Sequence, residues 1–130
     1  MLSGMSTIEQ VRDNLKTASF SRANALSEEE LAAVETARSI YAERTQIGCT
    51  SCEYCMPCPF GVHIPGVFER WNNAFVYELA EENRDSYAKL IEQEKDATRC
   101  TACGRCETLC PQHLEIIRDL KQAHEFLAEK

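Results

Sequence analysis

Nothing at the start of the sequence reads as an export signal: Met1-Leu2-Ser3-Gly4-Met5 has no basic segment followed by an apolar one. No apolar run approaches the roughly 20 residues that a membrane-spanning helix needs. Positive charge is in deficit, with 14 Lys and Arg against 21 Asp and Glu, a formal net charge of −7 and a pI near 5.0. That balance argues against nucleic acid, whose phosphates demand Lys and Arg, and against an anionic membrane surface. No convincing alternation of apolar and polar residues marks a strand. These absences lead to the expectation of a cytoplasmic, all-α protein with no nucleic-acid or membrane partner.

What is present is led by cysteine. The 130 residues hold eight, and 44% of the chain is hydrophobic, enough for a packed but small core. Eight cysteines in a secreted chain would suggest disulfides, with 105 possible pairings. Without an export signal, the reduced thiols of the cytosol make metal binding the better reading.

Helical periodicity organises the rest. Ile8, Val11, Leu15 and Ala18 recur at helical spacing, predicting a helix over 7–18 and a polar linker over 19–24. Ser27 and Glu30 form a capping-box pattern opening a helix to about Gln46. Its apolar stripe is Leu31, Val34, Ala37 and Tyr41, and Gly48 is expected to stop it. A third helix begins near Pro65, with Phe68, Trp71, Phe75 and Leu79 as its core stripe. A shorter fourth helix is expected over 85–94. A last one, over 114–129, carries Ile116, Leu120, Ala123 and Leu127 on one face.

The cysteines sit between these helices in two related motifs. Cys49, Cys52 and Cys55 recur as Cys100, Cys103 and Cys106, displaced by 51, and Cys58-Pro59 recurs as Cys110-Pro111, displaced by 52. A helix follows each motif, which implies a pseudo-twofold internal repeat. Three thiolates at this spacing wrap one face of a cubane iron–sulfur cluster from a single loop, and the fourth must reach the far corner. In bacterial two-cluster ferredoxins, the fourth cysteine of such a run ligates the other cluster. Proline biases the residue before it toward extended backbone, which turns Cys58 and Cys110 out of their own loops. The expected sets are crossed: Cys49, Cys52, Cys55 and Cys110 for one [4Fe–4S] cluster, and Cys100, Cys103, Cys106 and Cys58 for the other. The second motif has the bacterial spacing, while the first is one residue short before Cys58. A structural zinc module is the competing reading, in which a third cysteine at the same spacing in each half would be surplus.

Two clusters point to electron transfer, and they take the formal charge from −7 to about −11, which favours basic partner surfaces. His63 and His113, beside the two Cys-Pro turns, are expected to bond backbone or cluster sulfur. His124 is expected at the surface or half-buried. Tyr54 and Met56, between ligands, are placed to shield a cluster from water.

Residues 49–68 and 100–113 together resemble the C-terminal iron–sulfur domain attached to a subgroup of aldo/keto reductases. The resemblance covers about residues 40–130 and implies an α-helical ferredoxin-like domain over residues 25–130. Leu2-Ser3-Gly4-Met5-Ser6, followed by Glu9-Gln10 and Asn14, resembles the last strand-to-helix turn of the reductase barrel, so residues 1–24 read as a remnant of it plus a linker. In that family the turn contacts the adenosine-phosphate side of NADP(H), and Gly4, Met5, Ser6, Gln10 and Asn14 fall at the corresponding places. A barrel needs about 250 residues, and the family's catalytic Tyr, Lys, Asp and His have no counterpart here. The resemblance therefore implies a redox module that does not turn over a carbonyl alone. It works with a redox partner or a catalytic barrel domain, or completes a split reductase as a separate subunit.

Overall fold

The computed structural model describes residues 4–129; Leu2 and Ser3 of the N-terminal motif lie outside the described residues. Six α-helices form the described chain, without a strand: α1 (Ile8–Phe20), α2 (Glu28–Arg44), α3 (Ile64–Val76), α4 (Ala80–Glu92), α5 (Arg105–Leu109) and α6 (Ile116–Leu127). A 3-10 turn, Ala97–Arg99, precedes the second cysteine loop. The chain divides into two compact units, Met1–Ala37 and Arg38–Lys130, with the division inside α2.

The first unit is set by its caps. Thr7 Oγ1 accepts from Gln10 N (3.3 Å) while Gln10 Oε1 accepts from Thr7 N (3.2 Å), so two otherwise unpaired amides are satisfied reciprocally. Ser27 and Glu30 repeat the arrangement at 3.2 and 2.8 Å. The Ser27 amide, and after it the Ser27 hydroxyl, hold the Glu30 carboxyl below its ordinary pKa. Neither α1 nor α2 has a buried residue. The stripe expected on α2 is exposed, Leu31 at 53% and Val34 at 58%. α2 also ends at Arg44, so Gly48 does not cap it: Thr45 closes the last turn, its N donating to Tyr41 O at 2.9 Å.

The second unit holds the core, built from α3, α4 and α6 around Val62, Ile64, Val67, Phe68, Tyr87, Ile116, Leu120 and Leu127, each at most 2% exposed. At roughly 1.5–3 kcal/mol per fully buried large side chain, these residues dominate its stability. All four residues of the α6 stripe are buried. Phe68 and Trp71 of the α3 stripe are buried too, and Phe75 stacks on Phe126 with ring centroids 4.6 Å apart. Leu79 departs from the expectation. It is 41% exposed and stands as the N-cap of α4, because the chain turns at Glu78 (φ 59°) after α3 ends. α4 is thus longer than the expected helix and starts five residues earlier. No side chain caps its first turn, so the sequence carries no capping signal for its start.

The repeat is legible in the backbone. Ser51 and Ala102 both have left-handed φ (53° and 56°), as do Glu53 and Gly104 (63° and 78°) and Gly61 and His113 (87° and 52°). Gly61 N donates to Cys58 O (3.0 Å), and His113 N donates to Cys110 O (3.1 Å). Ile64 and Phe68 of α3 correspond by the same displacement to Ile116 and Leu120 of α6, and all four are buried. The halves differ where the extra residue lies: the second loop winds into α5, whereas the first carries a cis Met56–Pro57 bond.

Candidate metal centres

Each cysteine loop is held at both ends. Before Cys49, the Asn72 side chain on α3 accepts from Gln46 N (2.9 Å) and Ile47 N (3.1 Å) and donates to Ile47 O (2.8 Å). After Cys58, Val62 and Ile64 are buried, and His63 caps α3 by accepting from Gly66 N at Nδ1 (3.0 Å). His63 therefore binds backbone, as expected of a loop histidine. Pro65 sits in that first turn, where an amide would have no helical partner.

The second loop is entered through the 3-10 turn, where the Asp96 carboxylate accepts from Thr98 N (2.8 Å) and Cys100 N donates to Ala97 O (3.1 Å). Ala97 N in turn donates to the hydroxyl of Tyr87 (3.2 Å), which also meets His124 Nδ1 at 2.8 Å. Burial pushes the Tyr87 pKa up to about 12, so the hydroxyl stays protonated at neutral pH. Within α5, Glu107 Oε1 accepts from Ile117 N (2.9 Å), tying the loop to α6. Cys110 is extended (φ −78°, ψ 115°), the conformation that Pro111 demands.

These constraints sort the eight thiols around two cavities. Cys49, Cys52, Cys55 and Cys110 line one, with Pro65, Phe68, Pro111 and Ile116. Cys58, Cys100, Cys103 and Cys106 line the other, with Pro59, Val62, Ile117 and Leu120. The last cysteine of each motif thus stands with the triplet of the other motif. Cys55 and Ile64 border both cavities, so the two lie side by side. Cys52 and Cys103, the corresponding middle members, are exposed, and the other six are half-buried. Tyr54 is 67% exposed and lines neither cavity, whereas Met56 packs on the core. His113 is exposed, and His124 is half-buried.

The electrostatics fit the same grouping. Burial raises the Cys49 thiol most, hydrogen bonds from Ser51 oppose it, and negative charge at Cys52 and Cys110 adds to it. Burial likewise raises Cys55, with Cys49, Cys52 and Cys110 adding. Cys106 is pushed up to about 11 by burial, with Glu107 and Cys100 adding. Cys110 therefore acts on the first triplet and Cys100 on its own. Thiols raised in this way give up protons when metal binds.

The residues fit two iron–sulfur clusters. Eight soft thiols around two adjoining apolar cavities, with Cys55 on the border of both, supply the four donors that each such cluster takes. Among the described residues, no three Cys, His, Asp or Glu side chains converge closely enough to hold a single metal ion. The sequence missed Asn72, which lies 25 residues from the backbone it clamps. It also missed Ile64 as the partition between the cavities.

A family profile described as a 4Fe-4S dicluster domain matches residues 48–115, the stretch that contains both loops, α3 and α4. No curated protein and no solved structure matches the chain.

Proposed function

The chain belongs to the 4Fe-4S dicluster domain family, and from that premise we propose that its eight cysteines hold the two [4Fe–4S] clusters in crossed sets. Cys49, Cys52, Cys55 and Cys110 bind one cluster, and Cys100, Cys103, Cys106 and Cys58 bind the other. The clusters supply one-electron transfer. The observation that carries the crossed assignment is the place of Cys110 in the cavity of the first triplet and of Cys58 in the cavity of the second, with Cys55 at the border of the two. The chain's own residues position this chemistry. Asn72 and Tyr87 fix the entries to the two loops, Ile64 separates the cavities, and the exposed Cys52 and Cys103 mark where each centre comes nearest to solvent.

The finer context is an aldo/keto reductase-like oxidoreductase. It is supported by the resemblance of residues 49–68 and 100–113 to the iron–sulfur tail of those enzymes, and of the sequence of residues 2–14 to the last turn of their barrel. In this reading residues 25–130 form the redox domain and residues 1–24 the barrel remnant and linker. The partner is a redox protein or a catalytic barrel, in the same or a separate polypeptide.

Iron, sulfide and zinc content of anaerobically purified protein, with EPR before and after dithionite, tests the two-cluster function. About eight iron and eight sulfide per chain, and a reduced signal from two interacting centres, are expected. About two zinc without sulfide would overturn it.

A further inference from the structure

We propose that the two centres differ in reduction potential, and that Arg105 and Glu53 set the order, so that the centre on Cys58, Cys100, Cys103 and Cys106 is reduced first. This rests on the crossed two-cluster reading above. Reduction of either centre adds one negative charge and breaks no bond. Its potential therefore follows the fixed charges and dipoles around it.

Much of the backbone is matched. The left-handed residues fall at equivalent places in both loops, and each loop leads into a helix through the same hydrogen-bonded Cys-Pro turn, the loops differing at α5 and at the cis Met56–Pro57 bond. Side-chain charge differs as well. Apart from cysteine, the first cavity has one ionisable lining residue, Glu53, and the second has one, Arg105. They lie at neighbouring positions of the repeat, between the second and third cysteines of their motifs. A guanidinium beside the second centre favours the added electron, and a carboxylate beside the first disfavours it. Both side chains are exposed, so salt screens the effect.

Two groups modulate the difference. Glu107 stands beside Cys106 and opposes Arg105, but its carboxylate accepts from Ile117 N at the start of α6, where the helix N-terminus offsets negative charge. Arg99, just before Cys100, is paired with Glu94 at 3.7 Å and adds little net charge.

The test is an anaerobic redox titration with dithionite and mediators, followed by EPR, on the wild type, Arg105→Gln, Arg105→Lys and Glu53→Gln, with iron and sulfide counted in each. The wild type should show two waves. Arg105→Gln should lower the upper wave alone, Arg105→Lys should leave it in place, and Glu53→Gln should raise the lower wave alone. These shifts should shrink as salt rises. With eight iron per chain, an Arg105→Gln shift in the lower wave, or no shift in any variant, overturns the proposal. A wild type lacking eight iron and eight sulfide instead overturns the two-cluster reading, and the ordering with it.

Discussion

Replacing Tyr87 with Phe removes one oxygen from the centre of the second unit. That oxygen accepts from Ala97 N at 3.2 Å and meets His124 Nδ1 at 2.8 Å, and Tyr87 is fully buried. The ring fills the same space in the variant, so the apolar term hardly changes. His124 is half-buried and recovers a partner from water. Ala97 is only 7% exposed, and its N–H does not recover one. Leaving a buried amide unpaired costs about 1–3 kcal/mol. Because Ala97 O accepts from Cys100 N, the cost falls on the turn that presents the second cysteine triplet. Amide hydrogen exchange on the anaerobic, cluster-loaded protein reads this locally. The Ala97 amide should exchange about 5- to 160-fold faster in Tyr87→Phe, the equivalent of that range, while amides around Val67 keep their protection. An Ala97 amide unchanged within twofold would refute the reasoning.

Three further outcomes follow from the same contacts. Asn72→Ala strips two bonds from the half-clamped Ile47 backbone, at about 1–3 kcal/mol for each buried group left unpaired. It should speed iron release to a chelator under conditions where far-UV circular dichroism is unchanged. Leu120→Ala, at a residue 1% exposed that borders the second cavity, should cost about 2–5 kcal/mol in anaerobic denaturant unfolding. The phenol of Tyr87 is harder to ionise in the folded chain, so folding keeps its proton above the ordinary tyrosine pKa near 10. Stability relative to Tyr87→Phe should therefore be whole below pH about 10 and fall between pH 10 and 12, as urea midpoints across that range would show.

The all-α class and the two cysteine loops were legible because both are local. Thiol spacing and Cys-Pro steps lie within a dozen residues, and the burial of Ile116, Leu120, Ala123 and Leu127 follows from one helical face. The Ser27–Glu30 cap was legible for the same reason. Periodicity marks an apolar face but not what covers it, so Leu31 and Val34 read as core and stand exposed. The start of α4 was missed because Leu79 supplies no capping side chain. α5 was missed because only the extra residue before Cys110 hinted at it. The Asn72 clamp and the Tyr87–Ala97 bond join segments 10 to 26 residues apart, and only tertiary packing shows them. Glu53 and Arg105 stood between ligands in plain view. What the sequence lacked was the cavity each one borders.

The crossed ligand sets are the central claim, and iron and sulfide counts on two double variants test them most directly. Cys52 and Cys110 belong to one cavity, so Cys52→Ala with Cys110→Ala should damage one centre and leave the other intact, with about four iron and four sulfide retained in one EPR-active cluster. Cys103→Ala with Cys110→Ala should damage both centres and leave no intact cluster. The reverse pattern, an intact cluster in the second variant and none in the first, would mean that each motif binds its own cluster and would contradict the account.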